Sequence, residues 1–501
     1  NHFQPVAVGV NNKVDTHCRI FIADAAHFLV ELVGSFVVIG AESQVEFAFA
    51  QIVGLGMVFQ PGQFQFKIAF FIAQVNNDIL IEHMERMSEN SGDESNDYSE
   101  LIEAYWNLLE NPININGEEI DQLAEFKMLS IFQLEKIKSY RKDFGDFQFI
   151  EELYEVEGLD KNSIAIIKDI ICFEDNKSNT TSLSDLKYGK HKIITQVEQC
   201  LNKKKGYSDI EDSLLYQNPN SIYLGSPKRL YLRYNYTYKD KVEYGFVVEK
   251  DPGEYLLRCN VDDSIRMLLG DKCYNGFDFY SYHIIVHNGF LIKTLAIGDY
   301  KISFGQGLCM GSGMAFTADG GSMLRRSKKI AGSKSANEGY YLRGIASTLK
   351  YNNIELSVFY SSKKTDANVV TYDSLSETPL EISSLQQSGL HRTYNEISDR
   401  KIIRQQLYGF NISYRNSYFQ LGYTLHKTGL NAELNPSNNI YNLFYFRGKN
   451  IINQSIDFYY VHDKILLYGE FAMSDNKGMA GLSGLTFQPT GYIEFNIMYR
   501  N

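Results

Sequence analysis

Ser388 and His391 lie three residues apart in the segment SGLHRT, and their residue types could support catalysis. A serine hydroxyl that passes its proton to a nearby histidine becomes a nucleophile, which is the chemistry of a lipid hydrolase. No nucleophile elbow and no orienting acid accompany the pair in the sequence. We therefore interpret His391 as a histidine that packs within a loop, and we expect no catalytic residue and no enzyme activity.

The cysteines of the chain give no indication of a metal site or of a bound cofactor. They follow neither a Cys-x-x-Cys spacing nor a close spacing with histidine, which structural zinc sites show. Scattered, half-buried thiols explain them more simply, and we expect neither a metal nor a cofactor. The six are Cys18, Cys172, Cys200, Cys259, Cys273 and Cys309.

The composition indicates which kind of element must position any site. The 501 residues include 35 Tyr and 32 Phe against one Trp and nine Pro. Aromatic residues at this density favour pleated sheets over helices, and 44% apolar residues exclude a mainly disordered chain. A net charge of −11 argues against nucleic-acid binding over the whole chain. The sequence therefore predicts a mainly β protein.

Charge divides the chain into unlike parts. Residues 76–175 carry 8 basic and 25 acidic side chains, a balance of −17, whereas residues 176–501 carry 38 and 30, a balance of +8. Residues 1–75 carry only three basic side chains, and no tyrosine precedes Tyr98. We expect a foreign or mistranslated segment at 1–75, a helical domain at 76–175, a linker at 176–190 and a β-barrel at 191–501. A weak secretion-signal pattern occurs at residues 67–73.

The acidic domain has helical periodicity. Residues 98–109 place apolar side chains on one stripe. The apolar spacing of residues 113–171 resembles the tandem helix-hairpin-helix domain of bacterial competence DNA receptors. In that family each hairpin is a Gly-apolar-Gly turn, whose bare backbone N–H groups can meet a DNA phosphate. The resemblance therefore implies two short helix pairs, with DNA as one partner to consider.

Most of the hairpin glycines are absent from this chain. Met128-Leu129-Ser130 stands at the first turn and Gly158-Leu159-Asp160 at the second. Gly158, Leu159 and Lys161 are the candidate nucleic-acid contacts, but Asp160 would repel a phosphate. Residues 111–175 also carry 7 basic and 15 acidic side chains, so they lack the cations that supply most non-specific DNA affinity. The sequence thus favours a packing or partner-binding module over a DNA-binding one.

The same region predicts its own core and an acidic surface. We expect the surface, which comprises Glu151, Glu152, Glu155, Glu157 and Asp160, to dock against basic turns of the barrel or against a basic envelope partner. The predicted core comprises Leu153, Val156, Leu159, Ile164, Ile167 and Ile171.

Alternation with period two dominates residues 185–501. In residues 229–251 an apolar and aromatic set alternates with a set that includes Arg233, Glu243 and Glu249, around a turn at 239–241. Residues 408–426 repeat the pattern around Asn416 and Ser417. A soluble sandwich also has one buried face per strand. Strands near ten residues, short turns and dense tyrosine favour an antiparallel transmembrane β-barrel of roughly 12 to 15 strands with a cross-paired, charged interior.

Three segments interrupt or modify this pattern. Residues 312–337 and 365–402 lack sustained alternation, so we interpret them as extracellular loops or as inserts into the barrel. The run GQGLCMGSG at residues 305–313 lacks the Lys-Ser/Thr of a phosphate loop. We interpret that run as a strand with small side chains facing the interior.

Several strings also resemble those of a family of bacterial envelope proteins described as helix-hairpin-helix domain-containing. They are YLGSP (223–227), FDFYSYH (277–283), TLAIGDYKISFGQG (294–307), SANE (335–338), FYSSKK (359–364), SGLHRT (388–393) and NLFYFRGKN (442–450). The resemblance covers residues 76–501. It implies a preceding secretion signal and further barrel strands, so we expect a chain incomplete at both ends, whose barrel closure is in doubt.

These observations lead to one expectation and two alternatives. The expected protein is a non-enzymatic outer-membrane β-barrel with a periplasmic helical domain, which serves envelope assembly, anchoring or passage. Its expected partners are outer-membrane lipid and a periplasmic or envelope protein. The alternatives are a DNA-binding or DNA-uptake component and an outer-membrane lipid hydrolase.

Overall fold

The computed structural model describes residues 54–60, 63–69, 108–109, 112–125, 128–173, 183–208, 217–238, 241–256, 276–287, 291–311, 329–376, 378–416, 418–490 and 493–501. The chain divides into two compact units, Asn1–Ala48 and Phe49–Asn501, and the described residues belong to the second. In the part of the chain that is described, no helix is both long and apolar enough to cross a membrane.

A small helical module occupies residues 112–173. Ser130 caps its longest helix through a capping box with Gln133, and Asp160 caps the next helix by accepting from the Ser163 N–H. The two-residue strands Ile113–Asn114 (β3) and Ile171–Cys172 (β4) pair in parallel and close the module. Its α-helices are Gln122–Glu125 (α1), Ile131–Phe144 (α2) and Lys161–Ile167 (α3), with 3-10 turns at Glu118–Asp121 and Ile150–Glu155.

The module has the core that the sequence predicts. All six predicted residues, from Leu153 to Ile171, are buried in one cluster with Leu134, Ile137 and other apolar side chains. The acidic residues of the predicted surface stay at least partly exposed. Residues 98–107 of the predicted first helix lie outside the described residues.

The remaining strands form one large sheet. They are β1 (Gly54–Gln60), β2 (Gln63–Ala69), β5 (Lys190–Cys200), β6 (Lys228–Tyr238), β7 (Val242–Lys250), β8 (Phe279–His287), β9 (Ile292–Ile302), β10 (Ile330–Gly332), β11 (Leu342–Tyr351), β12 (Ile354–Tyr372), β13 (Pro379–Gln386), β14 (Ile403–Arg415), β15 (Phe419–Leu434), β16 (Gly448–His462), β17 (Ile465–Ser474), β18 (Met479–Thr490) and β19 (Ile493–Arg500). A short helix, α4 (Tyr394–Ser398), precedes β14. Fifteen of these strands follow residue 185, within the predicted range.

The sheet is an antiparallel meander in which most strands pair with their neighbours in the chain. Two short strands depart from this order. β10 pairs with β9 beside the β9–β11 pairing, and β13 pairs with β12 while two of its residues pair in parallel with β15. The fold is therefore mainly β, as the composition predicts.

Opposite faces of the sheet differ in chemistry, as the alternation predicts. On β14, Tyr408, Ile412 and Tyr414 are 48%, 42% and 43% exposed. Asn411 and Ser413, which point to the other face, are buried. Arg233 and Glu249 are likewise buried on β6 and β7, whereas Phe246 is exposed. One face is thus apolar and open, and the other, which we call the interior, is polar and covered.

The two ends of the strands differ in the lengths of their connections. At one end the turns are short, such as residues 352–353, 416–418 and 463–464. At the other end the connections are long, such as 201–227, 251–278, 303–341 and 373–402. We call these the short-turn end and the long-loop end. The helical module precedes β5, and the first residue of β5, Lys190, pairs with Thr237 beside a short turn.

Two sequence interpretations need correction. Residues 305–311 of the Gly-rich run form turns and bends, not a strand, because Gly305 and Gly307 adopt φ values of +56° and +84°; residues 312–313 of that run lie outside the described residues. Residues 365–402 are also more regular than expected, since β12 continues to Tyr372 and β13 pairs with it. The polar composition of that segment hid its strands, because only a few apolar side chains, among them Ala367 and Ile382, pack there with Ile403 and Ala432.

Candidate functional site

An insert from the connection after β9 folds into the interior and is held by one carboxylate. The insert comprises residues 303–311, and the carboxylate belongs to Glu470 on β17. The backbone N–H groups of Gln306, Leu308 and Cys309 donate to Glu470 at 2.7, 3.0 and 3.1 Å. Glu470 is 3% exposed, so this ring of amides replaces the water that its charge would otherwise need. We call this contact the Glu470 latch.

The glycines of the insert explain why it does not continue as a strand. Gly305 and Gly307 take positive φ values, which glycine adopts readily. The resulting turn points successive N–H groups to one side, which forms an anion-binding concavity. The anion bound here is a side chain of the barrel wall, so the Gly-rich run serves as a clasp for the insert.

The latch also carries a thiol contact. The Sγ atom of Cys309 lies 3.5 Å from Nδ1 of His426 on β15, and Asn453 on β16 lies 3.1 Å from Nε2 of the same ring. Burial is the main cause that raises the pKa of the Cys309 thiol to about 11; a hydrogen bond with Ser455 opposes this rise, and the nearby Glu470 adds to it. Because the thiolate is the reactive form of cysteine, we read Cys309 as a packing thiol.

Further charges of the interior are paired across the strands. Lys329, which follows the insert, and Lys293 each lie 2.7 Å from the carboxylate of Glu355 on β12. Glu243 lies 2.9 Å from Lys334 and 3.1 Å from His283. These pairings agree with the cross-paired interior that the sequence predicts.

The other two interior charges named from the sequence are also accommodated. Glu249 accepts from Arg229 at 2.6 Å. Arg233 donates to the backbone oxygen of Lys334 at 3.2 Å, which ties the wall to the chain after β10.

His391 lies at the long-loop end, in a buried cluster of carboxylates. Its Nδ1 is 2.6 Å from Asp278 Oδ2, and its Nε2 is 2.8 Å from Asp366 Oδ2. Its backbone N–H donates to Glu254 at 2.8 Å. Glu254, Asp278 and His391 are each 1% exposed. We call these four residues the His391 cluster.

The cluster shifts the protonation of its members. Burial alone would lower the pKa of His391, but hydrogen bonds to Asp278 and Asp366 outweigh burial and raise that pKa to about 10. Burial raises the pKa of Glu254 to about 8, and the neighbouring carboxylates add to this effect. Glu338, which faces the same carboxylates, has its pKa raised to about 9, again mainly by burial. At neutral pH an imidazolium therefore joins ionised and protonated carboxyl groups.

This geometry does not provide a base for Ser388. The serine is exposed, whereas His391 is buried and directs both ring nitrogens to carboxylates. A histidine that is already protonated at neutral pH cannot accept a proton from a hydroxyl. Both ring nitrogens of His391 are thus engaged by carboxylates of the long connections and not by Ser388.

The predicted DNA contacts lie at the turn before α3. Gly158 has a φ of +89°, Leu159 is buried in the module core, and Lys161 is the exposed first residue of α3. Asp160 caps α3 by accepting from the Ser163 N–H at 2.9 Å. Its carboxylate therefore stands where a phosphate would approach the helix N-terminus. DNA binding by Gly158, Leu159 and Lys161 stays a prediction.

The helical module contacts the barrel at the short-turn end. Ile131 and Phe132 of α2 pack with Tyr459, Val461 and Leu466, which flank the turn at 463–464. Beside them, Lys136 lies 2.7 Å from Glu157 of the module and 4.0 Å from Asp463 of the turn. The contact is thus mainly apolar, whereas the sequence interpretation relied on the acidic face.

Sequence reasoning missed Glu470, Asp278 and Asp366. Glu470 stands among apolar residues in ILLYGEFAMS, at a position whose parity places it on the interior face. That isolated acid was the available signal. Asp278 and Asp366 carried no such signal, because strand register and loop path decide which of them meet His391.

Comparison with known proteins gives distant likenesses only. No protein-family model matches the chain, and no curated protein matches it. An anion-selective porin from Comamonas acidovorans aligns with 55% of this chain and 69% of its own, at 11% identity and a TM-score of 0.25. OmpT of Vibrio cholerae covers 55% and 78%, at 12% identity and a TM-score of 0.22. A Rh. blastica porin variant covers 55% and 85%, at 11% identity and 0.21. At these scores the likenesses carry no argument, and the large antiparallel sheet rests on the strand pairing of the chain itself.

Proposed function

We propose that this protein is a non-enzymatic β-barrel of the bacterial outer membrane whose interior is a gated passage, with the insert as the gate. The observation that carries the proposal is the Glu470 latch, which holds a loop of the chain inside a polar interior. The helical module then lies on the periplasmic side, where it covers the short-turn end.

The membrane location follows from the outer face of the sheet. Tyrosine, phenylalanine, isoleucine and leucine side chains are exposed there on strand after strand, for example Tyr282, Tyr360 and Phe471 at 54%, 45% and 52%. A continuous apolar surface of this kind is unfavourable in water but is suited to lipid. Bacterial outer-membrane barrels have short periplasmic turns and long extracellular loops. We therefore assign the short-turn end to the periplasm.

Passage is favoured over a purely anchoring role because the interior is built from ion pairs and amides. Glu355, Glu243 and Glu470 all carry charge inward. An anchor needs only a stable wall. Buried ion pairs add little or no net stability to a wall, because the cost of removing their charges from water offsets their attraction. A latch that depends on one carboxylate can also be released without unfolding the wall.

Planar-bilayer conductance of the purified full chain tests the gate. The Glu470→Gln variant keeps the side-chain volume but loses the charge, and charge-assisted hydrogen bonds are about twice as strong as neutral ones. We expect a low conductance for the unmodified protein and longer or more frequent openings for this variant. Glu433→Gln, at an exposed position of β15, is the matched control. Equal conductance of all three proteins would contradict the gate.

Electrophoresis tests the barrel separately from the gate. We expect detergent-solubilised protein to migrate differently before and after boiling, and to be recovered with membranes. Recovery as a soluble monomer without detergent would contradict the membrane location.

With the module in the periplasm, its exposed acidic residues, among them Glu151 and Glu155, offer their charge to a basic envelope partner there.

A further inference from the structure

We propose that Glu254, Asp278 and His391 bind a divalent transition-metal ion of the Zn²⁺ class at the long-loop end of the barrel. The site is separate from the Glu470 latch and does not depend on the passage function. It would link two long connections, since Glu254 and Asp278 flank residues 255–277 and His391 belongs to the connection before β14.

The first argument is the spacing of the donor atoms. One oxygen of Glu254, one of Asp278 and one nitrogen of His391 all lie within 4.8 Å of one another. The Nδ1 atom of His391 is 2.6 Å from Asp278 Oδ2 and 4.0 Å from Glu254 Oε1. A zinc ion has about 2.0 to 2.2 Å to each nitrogen or oxygen ligand. Shifts of several tenths of an ångström would therefore place all three donors around one ion.

The second argument is the orientation of the histidine by a fourth residue. Asp366 Oδ2 lies 2.8 Å from Nε2 of His391, on the opposite side of the ring from the other two carboxylates. Metal-binding histidines almost always donate their second ring N–H to such a carboxylate, which fixes the ring and its tautomer. Glu254 is similarly held, because it accepts from the backbone N–H groups of Asp251 and His391.

The donor set selects the class of metal. Imidazole nitrogen suits zinc, copper, iron and nickel, whereas calcium and magnesium prefer oxygen ligands alone. One histidine and two carboxylates supply nitrogen and oxygen ligands that zinc accepts, and their number equals that of the open sites in which three side chains and one water surround zinc. We therefore expect Zn²⁺ and Co²⁺ to bind, and Ca²⁺ to compete poorly.

The neighbouring cations determine which oxygen atom of Asp278 is available to the ion. Arg400 Nε lies 2.9 Å from Asp278 Oδ1, and Lys401 Nζ donates to the backbone oxygen of Asp278 at 3.1 Å. Asp278 would keep Oδ1 on Arg400 and offer Oδ2 to the metal. The ion takes the place of the proton between Oδ2 and Nδ1, and the carboxyl group of Glu254 loses its own proton on binding, so that both protons leave to solvent. His391 then binds as neutral imidazole.

Calorimetric titration of the chelator-treated full chain in detergent with ZnCl₂ tests the site. We expect one equivalent of Zn²⁺ for the unmodified protein, and at least a tenfold loss of affinity in Glu254→Gln and Asp278→Asn. Asp366→Asn should weaken binding by roughly 10 to 100-fold, as loss of an orienting partner does elsewhere. Glu396→Gln is the matched control, because Glu396 lies in the same connection but pairs with Arg392.

Visible absorption of Co²⁺ is measured on the unmodified protein, so this test does not depend on whether the variants fold. We expect Co²⁺ bound to the unmodified protein to show visible bands of a low-coordinate nitrogen and oxygen site, which Zn²⁺ bleaches and Ca²⁺ does not. The absence of such bands together with no zinc uptake would overturn the proposal. Uptake that the Glu254, Asp278 and control variants share equally would overturn it as well.

Discussion

Arg415 at the end of β14 donates to Asp121 of the helical module, with 2.6 Å between Nη2 and Oδ2, across 294 residues of sequence. The two side chains are 39% and 21% exposed, and a pair of that kind contributes about 0 to 1 kcal/mol. Ile131 and Phe132 are each 6% exposed in the apolar cluster beside it. Apolar burial therefore holds the module, and the ion pair orients it.

We predict that Phe132→Ala releases the module from the barrel. Phe132 packs with barrel residues and is not part of the module's own core, and truncation of a buried phenylalanine costs about 3 to 5 kcal/mol. Hydrogen exchange in Ile131–Phe144 should accelerate in the full chain. Asp121→Asn is the comparison variant and should have a smaller effect. Stronger release by Asp121→Asn, or by 1 M salt alone, would show that charge dominates the contact.

We predict weak or absent DNA binding by the full chain in detergent. Asp160 places a carboxylate at the N-terminus of α3, and non-specific binders already have Kd values of about 10⁻⁴ to 10⁻⁶ M at physiological salt. Asp160→Asn keeps a good helix cap without the charge, so it should raise affinity if the turn contacts phosphate. Micromolar binding whose salt dependence is flattened by Lys161→Ala would favour DNA uptake.

We predict that alkaline pH loosens the connection that contains His391. The folded pKa of His391 is about 10 against an ordinary value of 6.5, so its stabilising effect is complete below pH 6.5 and lost as pH rises towards 10. Glu338 acts in the same direction. Its folded pKa of about 9 exceeds the ordinary 4.5, so the stability that it contributes is complete below pH 4.5 and is lost as pH rises towards 9.

Hydrogen exchange of residues 387–402 in the chelator-treated chain at pH 6.5 and 9.5, corrected for intrinsic rates, measures this effect. We expect faster exchange at pH 9.5, and a smaller pH difference in Glu338→Gln, which has no proton to lose. Equal exchange rates of residues 387–402 at both pH values would show that His391 does not titrate as inferred.

We predict that Gly484→Ala destabilises the barrel by about 1 to 3 kcal/mol, the usual cost of overpacking. A Cβ atom at Gly484 of β18 would overlap the ring of Tyr468 on β17, which is buried beside the docked module. Gly481→Ala is the control on the same strand, because its nearest neighbour would be Phe471 at 3.9 Å. A lower temperature of heat-induced unfolding only for Gly484→Ala is the expected result.

The sequence predicted those features that depend on local pattern. Alternation around residues 239–241 and 416–417 placed Arg233 and Glu243 inside and Phe246 outside, since side-chain direction in a strand follows from period two alone. The module core was also predictable, because the apolar residues of its helices recur at helical spacing and so form one stripe that packs inward.

The candidate site depends on contacts that no local pattern contains. His391 is 113 residues from Asp278 and 137 from Glu254, and their meeting depends on the path of long connections. The Gly-rich run was misjudged because its partner, Glu470, lies about 160 residues later. A run of glycines is compatible with a strand or a clasp, and only the position of the carboxylate decides between them.

The order of the strands has a consequence for how the protein assembles. Nearly every wall contact joins neighbours in the chain, so each hairpin can form with little loss of loop entropy and without waiting for distant segments. The contact of Gln306 with Glu470 spans 164 residues, and that of Asp121 with Arg415 spans 294. Neither can form until the intervening wall exists. Filling of the interior is therefore a late step of folding, and the insert can first reach Glu470 only in a wall that is already built.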